Sequence, residues 1–344
     1  MSDPFAPIAF RSGAWAKNRI ALAPMTNCQS EEDGSLGEAE LRWLERRARG
    51  GFGVVETCAA FVSADGKAFP GQLGVHDDAM LPGMTRLASA IRAHESLGIV
   101  QLHHGGIRAL EPKLTTDTAT EADLARVIED FAAAAARSER AGFQGVEIHG
   151  AHGYLLTQFL SAHNARTDAW GGSFENRARL LLEVTRAVRA RVRPTFVVGV
   201  RLSPEDFGNA KGLDLDESLA VATTLADEGV DFVHASLWDA SKSTKKRPEA
   251  HAVTLLRKAL PPAVLVFVAG SLWTRADVES MLARGADVVA LGRAAVLNPD
   301  WPLEAKDADW QPRRPPMSPA ELRDRAVSDV FVGYLRNWKN FVTA

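Results

Sequence analysis

Short β-branched or apolar runs recur along the chain at 19–23, 53–57, 98–102, 145–149, 195–202, 231–235, 263–269 and 287–291, each of a length suited to a buried strand. Between them the period changes. The stretches 38–49, 81–95, 123–140, 176–191, 216–228 and 274–283 space their apolar positions three and four apart, as amphipathic helices do. Several open on Asp, Asn or Thr, whose side chains accept a free N–H at a helix start, and two stop at Gly142 and Gly285. Strands that alternate with helices in this way predict a parallel sheet joined by crossovers.

Such an alternation closes as a barrel or spreads as a doubly wound sheet, and periodicity does not separate the two. The polar residues favour the barrel. Thr26 follows the first run, Glu56 and Thr57 end the second, Gln101 the third, His149 the fourth and Arg201 the fifth. Gly270 follows the seventh run, and Gly292 with Arg293 the eighth. A barrel assembles its site from the carboxyl ends of many strands, whereas an open sheet uses one crevice. The reading is an α/β fold, a single (β/α)8 TIM barrel over 1–344. Residues 307–344 form a C-terminal extension that packs on the barrel or on a neighbouring subunit of a homo-oligomer, and Arg336 and Trp338 are its candidates for reaching a site.

Composition narrows the partners. Forty basic against forty-three acidic residues give a formal charge of -3, so neither nucleic acid nor an anionic membrane is expected and a small molecule is. The only cysteines, Cys28 and Cys58, form no CxxC or Cys/His ligand pattern, so no metal site is predicted and a reducing cytoplasm fits. Residues 1–11 lack the basic and apolar segments of an export signal, and no apolar run reaches membrane length. The expectation is a soluble cytoplasmic protein.

Two features carry chemistry. Glycines directly after the last two strands, in "VAGS" and "LGR", let backbone amides approach an anion, and loops there form the recurrent phosphate site of this architecture. Arg293 adds a planar charged fork. The second feature is "EIHGAHGYLLTQFLS" at 147–161, where His149 ends a strand, His152 follows three residues later and Tyr154 two after that. Two imidazoles so spaced on a turn converge on one acceptor atom, and a nearby phenol can deliver a proton.

Together with "RIALAPMTN", "QLHHGG" and "GVRLSPEDF", these motifs resemble the Old Yellow Enzyme family of flavin oxidoreductases, from about residue 5 to about residue 301. The His/His pair resembles its thermophilic-like branch. The resemblance implies FMN across the barrel mouth, NAD(P)H as reductant, and an enone or nitroalkene as substrate. It implies hydride transfer from flavin N5 to the β-carbon, with Tyr154 protonating the α-carbon. His149 and His152 would hold the substrate carbonyl. Pro24, Met25 and Thr26 would line the flavin, Thr57 would be the small residue beside its ring system, and Gln101 would read the pyrimidine edge. Arg201 would balance the charge of the reduced flavin, and Gly270, Ser271, Gly292 and Arg293 would cradle the phosphate. Thr26 stands where that branch usually has Cys, so redox tuning by a thiol is not expected. The loop after the third strand is short and lacks the family's "PAPS" element, which leaves the pocket's shape open. A Schiff-base lyase is the competing reading, but no lysine falls at a strand end.

Overall fold

The structure is a computed structural model that describes residues 3–343. A short antiparallel hairpin, β1 (Ile8–Ala9) and β2 (Trp15–Ala16), precedes eight parallel strands. These are β3 (Ile20–Leu22), β4 (Val54–Phe61), β5 (Leu97–His103), β6 (Gly145–Gly150), β7 (Val197–Leu202), β8 (Phe232–Ser236), β9 (Leu265–Ala269) and β10 (Val288–Leu291). They pair in sequence order, and β10 returns to β3, so the sheet closes and the expected barrel stands. No helix among the described residues is long and apolar enough to cross a membrane.

Alternation along each strand divides the core in two. Ala21, Ala23, Val54, Ile99, Phe232 and Phe267 point into the barrel, whereas Ile20, Leu22, Val55 and Val100 face the surrounding helices. At the floor, Phe232 and Phe267 stack with ring centroids 4.2 Å apart, and Phe10 from the hairpin plugs the end at 6.1 to 6.3 Å. A Cβ on Gly199 would lie 2.1 Å from the Phe232 ring, so only glycine admits this floor. The helices stop as expected at Gly142 and Gly285, but three of them start earlier than the sequence reading placed them, capped by Thr120, Ser173 and Asp214 rather than by Asp123, Asn176 and Asp216. Thr120 and Thr274 each form a reciprocal capping box, Asp214 accepts from two N–H groups, and Gly142 and Gly285 take the positive φ that stops a helix.

One strand departs from the sequence reading. Strand β4 runs four residues beyond 57, because the pairing with β5 shifts between Glu56 and Ala59 and the strand continues past the bulge. The tail lies on the barrel of its own chain, one of the two placements expected of it. Its helix Asp329–Leu335 buries Phe331 edge-on against Trp43 at 5.0 Å, and Ser328 donates to Gln29 at 2.6 Å. Arg47, fully buried with its guanidinium 3.3 Å from the Trp43 ring, donates to the carbonyls of Ala295, Val296 and Arg325, and so ties the end of the barrel to the tail.

Candidate active site

Strand ends converge on a cavity of about 590 Å³ at the carboxyl face, within the roughly 300–1,000 Å³ range of small-molecule sites. Pro24, Met25 and Thr26 line it after β3. Gln101 comes from β5, His149 from β6, and His152 and Tyr154 from the following turn. Arg201 enters from β7, Gly270 and Ser271 from the loop after β9, and Gly292 and Arg293 from the loop after β10.

Thr57 does not line the cavity. The bulge in β4 turns it into the wall, where its hydroxyl donates to the Cys58 carbonyl at 2.7 Å and accepts from the Gln101 N–H at 3.2 Å. Ala59, paired with Gln101 beyond the bulge, takes the place by the cavity that the motif match assigned to Thr57. Counting along a strand misplaces a side chain wherever an extra residue enters the ladder.

The two imidazoles meet directly, His149 Nε2 and His152 Nδ1 being 2.9 Å apart, and His152 Nε2 lies 2.7 Å from the Ser236 hydroxyl. His152 has φ +64, a left-handed turn conformation that brings its ring back toward β6. Burial, then the neighbouring positive groups, holds both rings well below the ordinary histidine range, so both are neutral and each keeps one N–H to donate. Tyr154 stands beside them, its ring 5.1 Å from His149 and 4.3 Å from His103. His103 is fully buried and pushed down to about 3, chiefly by desolvation.

Several lining residues escaped the sequence reading. Arg108 lies 4.3 Å over the Tyr154 ring and donates to the His152 carbonyl at 3.0 Å. Ser236, at the end of β8, accepts from Arg201 at 3.2 Å and joins it to His152. A polar residue at a strand's carboxyl end is a legible signal, and the strand list could have yielded Ser236. Phe207, Trp238 and Tyr334 wall the mouth from three separate segments, where no local pattern marks such convergence, and Trp338, one of the two tail candidates, joins them.

The cavity suits a flavin in its unmet hydrogen-bonding capacity and in its backbone. Arg201 Nε and His149 Nδ1 are buried without partners. At the opposite end, Ser271 has φ +56 and Arg293 donates to its hydroxyl at 2.8 Å, while a Cβ on Gly270 would sit 2.8 Å from the Leu237 carbonyl. Gly270, Ser271, Gly292 and Arg293 line this end of the cavity, a left-handed turn beside a charged fork, as a phosphate cradle requires.

Beneath the cavity lies a buried polar layer of Glu56, Glu147, His234 and Gln101. Glu147 accepts from Gln101 Nε2 at 2.6 Å and from His234 Nδ1 at 2.6 Å. Glu56 has no hydrogen-bond partner at either oxygen. Ligand atoms of Glu56, Glu147 and His234 fall within 4.8 Å of one another, a spacing that a metal ion could bridge. However, His234 Nδ1 must carry a proton to donate to Glu147, and a cation there would also face Arg201. A proton held by one carboxyl answers the charge instead. Two carboxylates with oxygens no more than 4.8 Å apart would repel by at least about 3.5 kcal/mol at an effective dielectric of ~20. Burial, then the Glu147 charge, pushes Glu56 well above the ordinary carboxyl range. Burial also presses on Glu147, but His234, Arg201 and Gln101 together hold it below that range, and burial keeps His234 itself neutral.

This division predicts a pH effect. Between the ordinary glutamate value of about 4.3 and its raised folded value, Glu56 carries a proton that the unfolded chain releases, so stability falls as pH rises, by about 1.4 kcal/mol per pH unit. Glu56→Gln is expected to remove that part of the slope and to gain most over wild type at the alkaline end. Denaturant midpoints between about pH 5 and pH 8 check this; parallel slopes for the two proteins would contradict it.

Residues 3–309 match the family model described as NADH:flavin oxidoreductase / NADH oxidase. The chain is 38% identical over 327 residues to the probable NADH-dependent flavin oxidoreductase YqiG of Bacillus subtilis, covering 88% of this chain and 87% of that protein. It is 32% identical to the NADH:acrylate oxidoreductase of Vibrio harveyi, matching 87% of this chain but only 32% of that longer protein. Among solved structures, the old yellow enzyme homologue of Zymomonas mobilis superposes with a TM-score of 0.80 at 25% identity, over 94% of this chain and 99% of that one. With a family match spanning nearly the whole barrel and a relative 38% identical over most of both chains, this chain belongs to the NADH:flavin oxidoreductase / NADH oxidase family, that of old yellow enzyme, and is an NAD(P)H-dependent flavin oxidoreductase.

Proposed function

We propose that the protein is an FMN-dependent ene-reductase, which uses NAD(P)H to reduce the activated C=C bond of α,β-unsaturated carbonyl or nitro compounds. The observation that carries this reading is the gathering of His149, His152 and Tyr154 over one cavity that Arg201 also enters. The Vibrio harveyi relative, an NADH:acrylate oxidoreductase about three times the length of the match, points to the same bond type.

Gly270, Ser271, Gly292 and Arg293 would hold the phosphate, with Gln101, Thr26 and Arg201 toward the ring system. Bound there, FMN would supply the hydride chemistry between NAD(P)H and the β-carbon of the alkene. His149 and His152 exchange their mutual hydrogen bond for bonds to the substrate oxygen. Being neutral donors, they polarise the alkene without adding a charge that would itself need balancing. Tyr154 delivers the proton to the α-carbon, so that hydride and proton together saturate the bond. Phe207, Trp238 and Trp338 narrow the mouth and limit water.

The test is direct. Purified protein should be yellow, bleach anaerobically with NAD(P)H, and recolour when an enone, maleimide or nitroalkene is added. Bleaching without recolouring by any alkene of the panel would leave a flavin reductase and overturn the reading. Arg201→Ala should also weaken FMN retention by roughly tenfold to a hundredfold, the scale of one charge-assisted hydrogen bond, or lower the flavin potential. Equilibrium dialysis and redox titration check this, and wild-type values in both would remove Arg201 from the site.

A further inference from the structure

The polar layer under the cavity contains a carboxylate that no step above uses. Gln101 on β5 and Glu147 on β6 are register partners, and both point into the barrel. Arg201 on β7 is in turn the register partner of His234 on β8, whose Nδ1 donates to Glu147. Glu147 therefore touches Gln101 and His234 directly, and its negative charge falls within the field of Arg201. Its own oxygens are spent inside the layer, and it does not line the cavity.

This geometry has two consequences. A carboxylate accepts and cannot donate, so its bond to Gln101 settles which end of that amide is which: the NH2 group turns inward and the carbonyl oxygen is left for the cavity. The same charge partly offsets the Arg201 guanidinium, which the reading above sets against the negative charge of a reduced flavin. We propose that Glu147 is a positioning residue that fixes the Gln101 amide and moderates Arg201 from below, and so sets both the affinity and the reduction potential of the flavin above them. The proposal rests on the flavin assignment of the preceding section. Glu56 is a spectator in it, since a carboxyl that keeps its proton adds no charge to the layer and meets neither Gln101 nor Arg201 in a hydrogen bond.

The experiment compares Glu147→Gln, Glu147→Asp and Glu56→Gln with wild type, measuring FMN dissociation constants and equilibrium with a reference dye. Glu147→Gln removes the charge that restrains Arg201. It should favour the reduced flavin by about tenfold, a rise of about 30 mV for a two-electron couple, and weaken FMN binding by about tenfold as the Gln101 amide loses its fixed orientation. Glu147→Asp keeps the charge but falls short of Gln101, so its potential should stay within about threefold of wild type while FMN binding weakens. Glu56→Gln should change neither. An unchanged potential in Glu147→Gln, or an equal shift in Glu56→Gln, overturns the proposal. If Glu147→Gln does not fold, Glu147→Asp decides, and unaltered FMN affinity there overturns it. A wild-type protein that binds FMN but yields those negative results refutes the role of Glu147 alone; a wild-type protein without flavin refutes the reading beneath it and the proposal with it.

Discussion

Tyr154→Phe is expected to slow alkene reduction by about 10²- to 10⁴-fold, the usual contribution of a well-placed proton donor, while NAD(P)H still bleaches the protein at the wild-type rate. The substitution is unusually clean at this position. The ring is held by Arg108 at 4.3 Å over its face, by His103 at 4.3 Å and by His149 at 5.1 Å, and phenylalanine preserves each of those contacts. Only the hydroxyl is lost. Reduction by NAD(P)H needs no proton from this residue, whereas saturating the alkene does, so the two half-reactions should separate in stopped-flow measurements. Equal reoxidation rates for variant and wild type would remove Tyr154 from the proposed mechanism and leave proton delivery to solvent or another side chain.

Phe331→Ala should cost about 3–5 kcal/mol, the range for deleting a fully buried aromatic ring from a packed core. Phe331 meets Trp43 edge to face at 5.0 Å, and both are almost wholly removed from solvent. The loss is expected to appear locally before it appears globally. The tail adds no strand to the closed barrel, so weakening its anchors, which include this ring, the buried Leu322, Val332 and Leu335, the Ser328 bond to Gln29 and the Arg47 contacts, can lift it while the barrel stays intact. Tyr334 and Trp338 follow on the same helix and turn and line the cavity, so lifting the tail should also open the mouth. Limited proteolysis within residues 317–343, a lowered denaturation midpoint and a raised KM for alkenes are the expected readouts. A protease-resistant variant with a wild-type midpoint would show that the ring is not an anchor.

The site was legible in the sequence to the extent that its chemistry is local. His149, His152 and Tyr154 lie within six residues, so a strand ending and a turn suffice to gather them. Gly270 and Gly292 follow their strands directly and could be read as close-approach positions without knowing the barrel's shape. Thr57 was misread for an equally local reason: alternation assumes a regular ladder, and the pairing shift between Glu56 and Ala59 exists only when β5 is alongside. Glu147 gave no signal of function, since a charged residue inside a strand declares nothing until Gln101 and Arg201 arrive from the neighbouring strands β5 and β7 and His234 from β8 beyond.

What the sequence alone determined is therefore what rests on short-range periodicity and side-chain type: eight alternating units, the glycine stops of two helices, the phosphate-end glycines and an imidazole pair beside a phenol. The tertiary structure decided what depends on which segments become neighbours. It made Ala59 rather than Thr57 the residue by the cavity, bonded His149 to His152, let Ser236 bridge Arg201 to the pair, and folded the tail over its own barrel mouth. The physical reason is that hydrophobic period and propensity are properties of a few consecutive residues. Register, bulges and buried charge balance are set by partners tens to hundreds of positions away, and they come into being only when the barrel closes.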